Sequence, residues 1–113
     1  MNTLTLSVFS NEVLEIKHEN ISYQEKQGFI YFEIDETKYF LYKDLSGFKY
    51  QTKEEKVNMN FKEKLVTISL ISYSYTLDIK INKIMYEKTK NTYKLTYVLD
   101  SDPDVTKTFF ITL

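Results

Sequence analysis

The strictest constraint on the fold of this chain is an alternation of apolar and polar residues that recurs almost from end to end. From Tyr73 the apolar residues Tyr73, Tyr75, Leu77, Ile79 and Ile81 alternate with Ser74, Thr76, Asp78, Lys80 and Asn82. Successive side chains on a strand point to opposite faces, so this segment predicts a strand with one buried face and one wet face. The same reading returns at Tyr93, Leu95, Tyr97 and Leu99, and again at Phe109, Ile111 and Leu113. An all-β domain is the expectation.

Turn residues fall at intervals of one strand, which predicts an antiparallel meander. Leu4, Leu6 and Val8 form a first strand that turns at Asn11-Glu12. A second carries Leu14, Ile16 and His18 on one face; Ile21 and Tyr23 then fall on the opposite parity, so a β-bulge is expected near Glu19-Asn20. Gly28 opens a strand with Ile30, Phe32 and Ile34 inward, Asp35-Glu36-Thr37 turns it, and Tyr39 to Tyr42 reads as apolar on both faces. The long strand from Tyr73 slips phase near Asn82-Lys83. Lys90-Asn91 and Asp100 to Asp104 turn the last hairpins. The stretch 54–65 is ambiguous. Val57, Phe61 and Leu65 recur at helical spacing, but Asn58, Asn60 and the Val57-Met59-Phe61 alternation favour a strand.

About eight to ten short strands close into a barrel or stack as a β-sandwich. The two phase slips and the large aromatics favour the barrel, because a closed sheet needs bulged corners and a filled interior. A length of 113 residues suits a single domain, 1–113, with a core that needs no staple. The absence of cysteine removes disulfides, thiolate metal sites and cysteine nucleophiles, and fits a reducing cytosol. No positively charged, apolar leader opens the sequence, and its longest uncharged run, Leu65 to Leu77, is short of the ~20 residues of a spanning helix. A cytoplasmic location without membrane contact is expected. A net charge of −1 argues against a nucleic-acid partner. The chain lacks Ala, Arg, Trp and Cys but is rich in Lys, Asn, Ile, Tyr and Phe, a composition that points to an AT-rich bacterial genome.

The run from Ile21 to Asp44, followed by Tyr73 to Ile84 and Tyr93 to Leu113, resembles the YwiB-like family of small bacterial calycin-like (lipocalin-like) β-barrels. Gly28 before an aromatic strand, Tyr39 to Tyr42 after an acidic turn, and the closing hairpins carry the resemblance. It implies a barrel and brings no activity with it. The chain departs from the family's pattern in its middle, Lys53 to Ser72, which is shorter and lacks an Arg-x-Gly-like element. Tyr75 or Thr76 stands where the family tends to carry glycine.

Reactive chemistry finds little support. His18 is the lone histidine, so a histidine metal centre or a serine triad has no second partner. Asp100, Asp102 and Asp104 imitate the opening of a calcium loop, but Val105 and Ile111 stand where it needs Gly and Glu. Gly28 and Gly47 build no phosphate loop. Neither catalysis nor a cofactor is expected. The leading expectation is a small, partly apolar ligand in the barrel mouth against His18, Tyr42 and Tyr75. The alternative is an interaction module, a homodimer or edge-strand contact, with Phe40 and Phe110 on the contact surface.

Overall fold

The computed structural model describes residues 2–113, which hold ten strands and no helix. β1 (Thr3–Ser10), β2 (Val13–Lys26), β3 (Phe29–Ile34), β4 (Thr37–Tyr42) and β5 (Gly47–Gln51) come first. β6 (Glu55–Asn60), β7 (Leu65–Leu70), β8 (Tyr75–Lys88), β9 (Thr92–Leu99) and β10 (Asp102–Thr112) complete the chain. Each strand pairs antiparallel with its sequence neighbours, and β1 pairs with β10, so the order closes on itself. The fold is a closed antiparallel β-barrel of ten strands, as the alternation predicted, and the sandwich alternative falls.

The strands divide between two compact units. The first holds β1, β9 and β10 with β2 through Ser22 and β8 from Ile81. Its register sets Leu6 opposite Ile111 and Val8 opposite Phe109, and these in turn opposite Tyr93 and Leu95. One face is therefore apolar, and Leu4, Leu6, Tyr93, Leu95 and Ile111 are buried on it.

The second unit holds β3 to β7 with β2 from Tyr23 and β8 up to Lys80. One cross-strand row runs Tyr23, Phe32, Tyr39, Tyr50, Val57, Ile68, Leu77. The next runs Glu25, Ile30, Leu41, Phe48, Met59, Val66, Ile79. Phe32 and Phe48 are fully buried, each worth roughly 1.5–3 kcal/mol relative to exposure. Tyr39 stacks on Phe32 with centroids 4.8 Å apart and lies 6.0 Å from Phe48. Gly47 approaches so closely that a Cβ there would sit 2.5 Å from the Met59 carbonyl oxygen.

Both predicted phase slips are present. Leu4 faces Ile21 and Leu6 faces His18, which leaves one extra residue at Glu19-Asn20, with Asn20 at φ +57°. On β8 the register shifts between Ile81 and Lys83. A further bulge is a correction. Val8 faces Ile16 but Phe9 faces Leu14, so Glu15 is inserted and Leu14 leaves the face of Ile16 and His18. In β10, Pro103, Asp104 and Val105 form a wide bulge rather than a turn, because Asp102 faces Leu99 and Thr106 faces Val98. Proline has no N–H to give a ladder, which suits such a position. Within the stretch 54–65, Glu55–Asn60 is strand, Phe61 to Lys64 is a turn and Leu65 opens β7.

With two glycines in the chain, tight turns place other residues at positive φ, which Asn and Asp tolerate better than Glu. Asn11 and Glu12 take φ +49° and +68°, and Asp35 and Glu36 take +48° and +69°. Both pairs are two-residue hairpin turns of the primed type, whose twist matches that of the strands they join.

Candidate functional site

The residues expected around a ligand are not brought together. His18 lies in the first unit, half-buried, opposite Leu6 on β1. Tyr42 and Tyr75 lie in the second, on opposite faces of its sheet. Tyr42 pairs with Phe29 on the outer face, whereas Tyr75 ends the inner row beyond Leu77 and is 54% exposed. Phe40 and Phe110 are on outer faces as expected, but of different units.

The alternation on β8 buries its apolar face only at Ile81, which corrects the reading of that strand. Tyr73 is in the turn Ile71 to Ser74, and Leu77 is 43% exposed. Val13, Leu14 and Ile16 on β2, Ile71 and Tyr73 in the turn, and Tyr75, Leu77 and Met85 on β8 are the exposed large apolar residues. All belong to the two long strands or to the turn that feeds one of them. The cause is pairing. β7 covers β8 only from Tyr75 to Lys80, and β9 covers it only from Ile81 onward. Likewise β1 pairs with β2 up to Ser22, and β3 begins at Tyr23. Among the described residues, one backbone edge of Tyr75–Lys80 and one of Val13–Asn20 therefore have no strand beside them.

These two edges differ. The β2 edge is interrupted by bulges at Glu15 and Asn20 and carries the Lys17–Glu19 ion pair at 3.1 Å. Such features discourage strand addition. The Tyr75–Lys80 edge keeps an unbroken register with β7 and carries no bulge.

The outer face of the second unit holds four half-buried aromatics in two adjacent strands. Phe40 lies 5.8 Å from Phe29 and 5.1 Å from Tyr31, and Tyr42 lies 6.4 Å from Phe29. The Lys49 ammonium sits 5.4 Å from the Phe40 ring centre. Tyr42 is among the contacts expected for a ligand in the barrel mouth, whereas Phe29 and Tyr31 are not. Their signal was the same two-faced apolar character already visible in Tyr39 to Tyr42.

Burial, then the Asp35 and Glu55 charges respectively, pushes the Tyr39 and Tyr50 hydroxyls up, as befits core phenols. The Glu15 carboxyl is held below its ordinary value by the Lys107 ammonium, which donates to it at 2.6 Å, and then by the Ser10 hydroxyl. No group of three His, Asp or Glu side chains comes together among the described residues, and Asp100, Asp102 and Asp104 are solvated. A hollow of about 290 Å³ on the outer face of the first unit is lined by Phe9, Phe110, Thr108, Lys94 and Glu12.

The fold defines a closed antiparallel β-barrel, and no family model, curated protein or solved structure matches the chain.

Proposed function

We propose that the protein is a non-catalytic interaction module that joins a second copy of itself along Tyr75–Lys80 of β8. The observation that carries this reading is that exposed apolar side chains gather on the incompletely paired strands and their turn, beside an unbulged edge. A strand edge with unpaired N–H and C=O groups is a template for another strand. The segment complements itself. An antiparallel pairing with Leu77 opposite Leu77 sets Tyr75 opposite Ile79 and Thr76 opposite Asp78. That register keeps the apolar side chains on one face and opposes no like charges. Thr–Asp pairing is already used across β7 and β8, where the Thr67 hydroxyl donates to Asp78 at 2.8 Å.

Leu77→Cys tests the geometry. Directly opposed side chains have Cβ atoms about 4.5–5.5 Å apart, near enough for a bridge with small adjustment. Mild oxidation of Leu77→Cys is expected to give a disulfide dimer, and Thr76→Cys is not. Leu77→Lys should sediment as a monomer while retaining its circular-dichroism spectrum. A wild-type chain that stays monomeric at its highest soluble concentration sinks the proposal.

The hollow at Phe9 and Phe110 favours a second reading, a small ligand with an apolar body and a charged end near Lys94. Native mass spectrometry of protein purified from its host would report such a ligand as added mass, and Phe110→Ser should remove it.

A further inference from the structure

The net charge of −1 conceals an uneven distribution over the second unit. On the outer face of β3 to β6, cross-strand rows place Tyr31, Phe40, Lys49 and Asn58 side by side. The adjacent row is Glu33, Lys38, Gln51 and Lys56. Glu33 is the one acid these strands turn to that face, against three lysines. Among the described residues none of the three lysines is in an ion pair, whereas Lys17, Lys43, Lys53 and Lys107 each are. The acids of this unit's hairpin tips, Asp35, Glu36, Asp44, Glu54 and Glu63, stand at the strand ends instead. Beside these lysines lie Phe29, Tyr31, Phe40 and Tyr42, with neighbouring ring centres 5.1 to 6.4 Å apart.

We infer that this outer face is a binding surface for single-stranded nucleic acid, with bases stacked on Tyr31 and Phe40 and phosphates held by Lys38, Lys49 and Lys56. Base stacking on half-exposed aromatic rings is indifferent to sequence, because every base has a π-face. A duplex hides those faces in its own stack. The lysines supply the complementary charge at a spacing fixed by the ladder, strands being ~4.8 Å apart. Lys49 serves twice, because its ammonium already lies against the Phe40 ring. A protein partner that used only apolar contact would leave Lys38 and Lys56 without a counter-charge.

Fluorescence anisotropy of a labelled oligothymidylate at low salt, titrated with the full chain, tests this. Binding is expected, with weaker affinity for a duplex of equal length. Phe40→Ser should weaken it about tenfold, the scale of one lost base–aromatic stack. Lys49→Gln should reduce the slope of log K against log salt by about 0.7. Met85→Thr, an exposed apolar change in the other unit, should leave the affinity where it was. Phe40→Ser is checked for folding by circular dichroism, and Lys49→Gln keeps the test open if that variant unfolds. Binding that is absent, that survives Phe40→Ser in a folded chain, or that inorganic polyphosphate displaces as readily as oligothymidylate would overturn the inference.

Discussion

β9 and the first half of β8 alternate with the same period and similar residues, yet they meet opposite fates. On β9, Tyr93, Leu95 and Tyr97 are buried. On β8, Tyr75 and Leu77 are exposed, and burial is reached only at Ile81. The difference lies in the neighbours: β9 is flanked along its length by β8 and β10, while Tyr75–Lys80 has only β7 beside it. An alternating pattern encodes that a strand has an apolar face. It does not encode whether anything covers that face.

Substitutions at covered and uncovered positions break or sharpen the contrast. Phe48→Ala, in the middle of an inner row, should cost about 3–5 kcal/mol in denaturant unfolding. Leu77→Ala, at the end of the adjacent row, should cost about 1 kcal/mol or less in the monomer. Similar losses at the two sites would mean that Leu77 is covered in solution. Gly47→Ala should cost about 1–3 kcal/mol by overpacking, because the obstacle is the Met59 backbone rather than a movable side chain. Glu36→Gly should raise stability by about 0.5–1 kcal/mol, by removing a Cβ from a left-handed conformation.

The smallest effect expected is at Glu15, on the bulged β2 edge. Its carboxyl is depressed in the folded state, so its contribution is present above the ordinary value of 4.5 and lost as pH falls through the lower folded value. Thermal scans of wild type and Glu15→Gln should therefore differ at neutral pH and converge in acid. A gap that persists at low pH would show that the side chain acts by packing instead.

Much of this was legible beforehand, for identifiable reasons. The bulge at Asn20 and the slip at Lys83 were visible because apolar residues change parity across them. The bulge at Glu15 was hidden, because Leu14 and Ile16 keep the same spacing whether or not a residue is inserted between their partners. The wide bulge at Pro103 read as a turn because Asp and Pro favour both. Of the candidate contacts, the outward placement of Phe40 and Phe110 could be read from strand parity. The gathering of Phe29 and Tyr31 with Phe40 depends on which strands are adjacent and in what register, which no single strand records.

The pairing of Thr5 with Thr112 has a practical consequence. First and last strands are as adjacent as any hairpin, so the topology is a ring cut at one point, and the cut can be moved. A short linker joining the present ends, with new ends opened between Ile71 and Ser74, should yield a circular permutant with the same ladder of pairings. In such a molecule β8 would be the first strand, and the bare edge could be capped by a designed strand fused in front of it.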